Sequence, residues 1–245
     1  MSDVTSRTGD NVVQVHDKLR AAILAGDVRP GAKTSQAELA RDLDVGRTPL
    51  REAIRMLQSE GLIFTEPNRR VVIASLSIED AEELYVLRIT VEVAAARITL
   101  PQLTEGDFAE LEGYMAQMSH LAGGVPGPPS LQLFRGPHRE FHQRFVSGAG
   151  QRISQLIGEL FDHAERYRRV YGSISQVDYD KRAVEHRQML DAAIARDADG
   201  LAAALAAHYL ATALLVTSVL DPSYRLDRLR TTVEAVAPGA MYAFG

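Results

Sequence analysis

The chain has 245 residues, seven histidines, no cysteine and a formal net charge of −5. This length suffices for one large or two small hydrophobic cores, and two domains are expected. The lack of cysteine excludes disulfides and thiolate sites, so any metal must be held by nitrogen and oxygen, and the acidic balance disfavours non-specific binding to nucleic acid.

Charge is uneven: residues 1 to 75 carry a net +1 and residues 76 to 245 a net −6. Any contact with DNA must therefore be local. The first ten residues, MSDVTSRTGD, are polar and read as a disordered start rather than a secretory signal. No run of about 18 apolar residues is found, and a soluble, cytoplasmic protein without membrane contact is expected.

Residues 11 to 25 place Val12, Val15, Leu19, Ala22 and Ile23 on one stripe and stop at Gly26, which predicts a packed helix. Ser35 and Glu38 are spaced as a capping box for a short helix through about Leu43. Thr48 as N-cap and Pro49 at the first helical position then open a third helix. Leu50, Ala53, Ile54 and Leu57 recur at helical spacing and face inward, leaving Arg47, Thr48, Arg51 and Arg55 on the exposed side. Residues 62–64 (LIF) and 71–74 (VVIA) predict two strands joined by TEPNRR, whose tip carries Asn68, Arg69 and Arg70. Three helices and a hairpin make a winged helix-turn-helix over residues 11–75, with the third helix suited to the major groove.

From residue 76 to about 220 the pattern is helical throughout. Ser77 is expected to cap a helix reaching Thr99, and others run near 104–121, 137–147, 150–170, 180–195 and 199–219, with GGVPGPPS at 123–130 as a loop. Residues 221–245 read as either a tail or a short extra helix. His138 and His142 stand four apart in HREFH, although Pro137 is expected to delay the start of that helix. His186 and His208 lie symmetrically about Asp197, so an antiparallel hairpin of the last two helices sets them at one level. Four imidazoles from three helices would suit zinc, nickel or cobalt. Tyr85, Phe134, Phe141 and Tyr209 read as core, and His16, His120 and His163 as ordinary surface or core residues.

The stretch TSQAELARDLDVGRTPLREAIRMLQSEGLIFTEPNRR resembles the DNA-binding domain of GntR-family bacterial transcription regulators. The helical remainder resembles the FCD effector domain of the FadR-type branch. The resemblance implies a homodimer, probing a short palindromic operator in double-stranded DNA, with Ser35, Gln36, Arg47, Thr48, Arg51, Arg55, Asn68, Arg69 and Arg70 as candidate contacts. Gly46, Ala37 and Arg70 depart from residues common in the family, which leaves the operator sequence open. In the metal-binding kind of FCD domain an Asp-x-x-x-His helix and two later histidines hold the ion. His142, His186 and His208 match the histidines, and His138 stands in place of the Asp, which either favours nitrogen-loving metals, zinc or nickel first, or leaves that position a weak ligand. The resemblance also implies a small carboxylate effector clamped by Arg88, although Arg88 and Glu92 have the spacing of an ordinary helix ion pair.

These features point to a ligand-responsive repressor, with a metal sensor in which the ion itself is the signal as a variant. A metal-dependent hydrolase is the rival. It would need H-E-x-x-H, and here Glu140 falls one place late, on the far side of the helix from His138.

Overall fold

The computed structural model describes residues 4–66, 70–122, 128–172 and 179–244. The chain divides into two compact units, Met1–Ser77 with Glu165–Val170, and Ile78–Ala164 with Tyr171–Gly245.

In the first unit, α1 (Val4–Ala25) begins ahead of the stretch marked by periodicity, inside the segment expected to be disordered. Once a helix is nucleated each further residue adds a hydrogen bond, so it can extend past its apolar stripe. It stops at Gly26, whose φ of +78° suits the left-handed turn that a residue with Cβ adopts only with strain. A short strand β1 (Lys33–Ser35) leads into α2 (Gln36–Asp42). The Ser35 hydroxyl accepts from the Glu38 N–H at 3.1 Å, and the Glu38 carboxylate accepts from the Ser35 N–H at 2.9 Å, completing the expected capping box.

The next helix, α3, spans Arg47–Ser59 with Gly46 as N-cap, which corrects the expected Thr48 start. The Leu50 N–H already bonds the Gly46 carbonyl at 3.2 Å, so the helical ladder is under way before Pro49. Pro49 is still harmless, because the first-turn N–H groups of a helix have no intrahelical acceptor. Leu50, Ala53, Ile54 and Leu57 are all buried and join Val15, Leu19 and Ile23 of α1 in one core. The helix ends in a Schellman turn: the Gly61 N–H bonds Gln58 O and the Leu62 N–H bonds Leu57 O.

Strands β2 (Ile63–Thr65) and β3 (Arg70–Ile73) form the wing, with Ile63 opposite Ile73. The sheet has a third member, since β1 pairs antiparallel with β3 (Lys33 opposite Val72), giving the order β1-β3-β2. Lys-Thr-Ser carries little strand signal of its own and becomes a strand by pairing with β3.

The second unit is helical: α4 (Ile78–Thr99), α5 (Glu105–Ala122), α6 (Pro128–Arg144), α7 (Gln151–Gly172, partly grouped with the first unit), α8 (Tyr179–Ile194), α9 (Ala198–Leu220) and α10 (Asp227–Val236). Residues 128–130, expected in a loop, are the first turn of α6, where proline lacks only an N–H that would have no partner. Pro137 accordingly sits inside α6 and does not delay it; one lost backbone bond is outweighed by the packing of the helix's buried face, which includes Phe134, His138, Phe141 and His142.

α9 has the length and hydropathy of a membrane span, but 56% of its apolar window is buried, and it packs on α4 and α8 as a core helix. The carboxyl-terminal segment is a docked helix rather than a tail. Leu229 and Val233 of α10 are buried, and the buried Glu82 of α4 accepts from the Arg228 and Leu229 N–H groups and the Tyr224 hydroxyl at 2.9–3.1 Å. That carboxylate meets the donor end of α10, where negative charge is favoured.

Candidate functional site

Two groups of side chains stand out, one in each unit. On α3, Arg47, Thr48, Arg51 and Arg55 are exposed, opposite the buried stripe. Glu52 lies between the arginines, with Arg55 Nη1 at 3.0 Å and Arg51 Nε at 3.5 Å from its carboxylate. Sequence inspection passed over Glu52; it holds two cations on a common face and offers an acceptor of its own. Ser35 and Gln36 are half-buried at the start of α2, Ser35 being engaged in its cap, and Arg70 is exposed at the start of β3. The Gln58 amide bonds the Thr65 hydroxyl at 3.0 Å, tying α3 to the wing. Asn68 and Arg69 lie outside the described residues.

In the second unit His138 and His142 from α6, His186 from α8 and His208 from α9 converge, all buried, each offering a ring nitrogen within 4.8 Å of the others. The antiparallel α8–α9 hairpin sets the His186 and His208 rings 4.8 Å apart, as their symmetry about Asp197 requires. Asp197 is the N-cap of α9, its carboxylate accepting from the Gly200 N–H at 2.9 Å. Arg196, just before it, has a φ of +57°, and its guanidinium donates to the carbonyls of Leu100 and Leu103 at 2.6 and 2.7 Å.

The rings are oriented from behind. Arg88 Nε meets Glu92 Oε1 at 2.7 Å, both side chains 5% exposed or less, and the guanidinium lies 4.0 Å from the centre of the Tyr209 ring. Burial works against the charge on Arg88, but the Glu92 carboxylate outweighs it and holds the pKa above its ordinary value. Burial, reinforced by Glu92 and opposed by Arg88, pushes the Tyr209 phenol well up, so its hydroxyl keeps its proton and donates it to Glu92. The Tyr209 hydroxyl, having given its proton to Glu92, lies 3.3 Å from His142 Nδ1 and can accept from it, which turns His142 Nε2 toward His138 Nε2 at 3.2 Å. Glu185 does the same for His208, whose Nδ1 lies 2.8 Å from Glu185 Oε2. Carboxylate-backed imidazoles of this kind are the usual outer support of metal ligands.

Four imidazole nitrogens in a buried pocket walled by Phe134, Phe141 and Phe161 fit a transition metal. Bonds of about 2.1 Å in tetrahedral geometry space ligand nitrogens about 3.4 Å apart, near the 3.2 Å already seen between His138 and His142. Glu140 is exposed while its neighbours His138 and His142 are buried, so it cannot serve as general base beside them. Beside His186 lies a small pocket of about 20 Å³, room for about one water, lined by Met115, Met118, Ser119, Phe134, Arg182 and Ala183. Arg88 is not among its lining residues. Tyr209, Glu185 and Arg182 were not read from sequence as site residues, and Glu92 only as the helix partner of Arg88; the Glu185-His186 adjacency and the spacing of Arg182 and His186 on one helix face are the other local signals.

Comparison with known proteins agrees with both units. Residues 11–73 match the gntR family of bacterial regulatory proteins, and residues 83–211 match the FCD domain. The chain is 31% identical to the Nta operon transcriptional regulator of Aminobacter aminovorans, over 66% of this chain and 72% of that one. It is 24% identical to the transcriptional repressor GlaR of Escherichia coli, over 73% and 83% of the two chains. Among solved structures, E. coli McbR/YncC shares the fold with a TM-score of 0.72 at 20% identity, covering 86% of this chain and 98% of that one. The matched families and relatives are DNA-binding regulators rather than enzymes, and this chain belongs to the GntR family of bacterial transcription regulators, with an FCD domain following its winged helix-turn-helix.

Proposed function

We propose that the protein is a cytoplasmic, homodimeric repressor that reads a short palindromic operator and is tuned by a small carboxylate and a divalent metal, zinc or nickel, bound in its helical unit. The observation that carries the DNA-reading part is the exposed Arg47, Thr48, Arg51, Arg55 face on a helix whose opposite side is wholly buried. Arginine's planar fork can take guanine O6 and N7 together, each such pair discriminating by about 1–3 kcal/mol. Ser35, Gln36, Arg70 and, at the wing tip, Asn68 and Arg69 supply backbone contacts in this reading. Repression is inferred from GlaR, and the dimer from the two-fold symmetry that a palindrome demands.

For the helical unit, the support is the buried set His138, His142, His186 and His208 with its carboxylate-backed rings. When bound, the metal would tie α6, α8 and α9 together and supply positive charge near the cavity. Arg88 enters as the cation that holds Glu92, and through it Tyr209 and His142, in place. Effector binding is expected to change operator affinity by about 5–150-fold, the usual range of coupling between two sites.

The test is capture of sheared genomic DNA by purified protein at physiological salt, beside an Arg51→Ala control. Enrichment of one palindrome, weakened at least tenfold by the substitution, is the expected result. Retention that is independent of sequence and vanishes with modest added salt would overturn it. Titrating zinc or nickel into chelator-stripped protein on the same operator then separates a metal that signals, which changes affinity in a graded way, from one that holds the fold.

A further inference from the structure

We infer that Glu52 is a specificity-determining residue of α3: together with Arg55 it reads one G·C pair in each operator half-site, its carboxylate accepting from the cytosine amino group. The inference rests on the DNA-reading proposal above and deepens it, since Glu52 has no place among the contacts named there.

Glu52 stands in the middle of the exposed face. Counting about 100° per residue, it lies about 40° from Thr48, about 60° from Arg55 and about 150° from the buried stripe centred on Leu50 and Leu57. A side chain so placed meets whatever the helix is laid against. It is 38% exposed, and it is held in position. Arg55 Nη1 donates to both carboxylate oxygens, at 3.2 and 3.0 Å, and Arg51 Nε lies 3.5 Å from Oε1. A carboxylate has about four acceptor sites, so these contacts leave lone pairs open. Among the described residues neither guanidinium has another polar partner, which leaves the rest of each fork for a base or a phosphate.

A carboxylate in the groove is repelled by the phosphates on either side, so it is tolerated only where a base offers it an amino donor. The Arg55–Glu52 pair sets a donor beside an acceptor at 3.0 Å. Guanine O6 and cytosine N4, joined by their own hydrogen bond, are spaced by about the same 2.9 Å. Laid over a G·C pair, the guanidinium takes guanine O6 and N7 while the carboxylate takes the N4 proton left in the groove. A T·A pair offers thymine O4 beside adenine N6. There a methyl stands where the guanidinium needs its second acceptor, and adenine N7 opposes the carboxylate. The reversed C·G pair sets donor against donor and acceptor against acceptor.

Selection of sites from a random duplex library by the full chain, followed by affinity measurement on the selected site, tests this. Wild type is expected to fix a G·C pair in each half-site, and Glu52→Ala to select the same palindrome with the preference at that pair cut about tenfold. Glu52→Gln keeps an acceptor oxygen without the charge and is expected to retain part of the preference. Replacing the cytosine of that pair with pyrimidin-2-one, which lacks the amino group, is expected to weaken wild type about tenfold and Glu52→Ala by less than about threefold. Affinity of Glu52→Ala for random-sequence DNA is expected to rise, because a negative charge has left the face that meets phosphate. The position is exposed, so both variants are expected to unfold at the wild-type temperature. Identical motifs from wild type and Glu52→Ala, or an equal loss in both on the amino-free site, would overturn the inference and leave the operator reading standing. A wild type that enriches no motif would overturn both.

Discussion

Replacing Glu92 with leucine should destabilise the helical unit far more than an average substitution. Glu92 and Arg88 are side chains 1% and 5% exposed, joined at 2.7 Å, and Glu92 also accepts the Tyr209 hydroxyl. Removing one partner of a buried ion pair leaves an uncompensated charge and costs about 3–5 kcal/mol. For a chain of this size each kcal/mol lowers the melting temperature by about 2–4 °C, so Glu92→Leu is expected to melt roughly 6–20 °C below wild type. Adding Arg88→Met removes the stranded cation, and the double variant should recover most of the loss. What remains is the buried Tyr209 hydroxyl without its acceptor, worth about 1–3 kcal/mol. Thermal unfolding followed by circular dichroism, run as a double-mutant cycle, measures both quantities. A single variant within 1 kcal/mol of wild type, or a double variant no better than the single, would refute the argument that this pair is a charge sealed from water.

Three further outcomes are expected. Ser35→Ala removes the cap of α2 and should cost about 1 kcal/mol, read from denaturant unfolding of the full chain. Glu38, held below its ordinary value of 4.5 chiefly by the Ser35 backbone N–H and then by the Ser35 hydroxyl, stabilises the folded form when ionised. Its contribution is therefore present above that value and lost as pH falls through the lower folded one, so the deficit of Glu38→Gln at pH 7 should shrink in acid. Glu185→Gln should lower zinc affinity about 10–100-fold, measured against a chromophoric chelator. Unchanged affinity would mean that packing alone orients His208.

The parts of the molecule that were legible in sequence are those set by periodicity and local spacing. The inward stripe of α3 and the Ser35 capping box follow from residues three or four apart, and His186 and His208 from counting outward along a hairpin. The start of α3 was misplaced because Thr48-Pro49 is a strong local signal, yet Gly46 adopts the extended cap conformation that Thr48 was expected to take. β1 was missed since Lys33–Ser35 owes its strand character to β3, 37 or so residues on by register. The supports of the histidine cluster were hidden for the same reason. Tyr209 meets Glu92 across 117 positions and Glu185 meets His208 across 23, separations no window of sequence connects.

The left-handed Arg196 makes the α8–α9 turn a ruler. A non-glycine residue in that conformation costs about 1–3 kcal/mol and persists only where the surroundings fix it, here through two carbonyls at 2.6 and 2.7 Å. Because each residue advances a helix by 100°, one residue inserted or deleted between Ala195 and Asp197 would swing His208 a quarter-turn or more away from His186. Drift along this lineage is thus free to alter the composition of that connection but not its length, and a relative with a longer turn should have surrendered the fourth nitrogen.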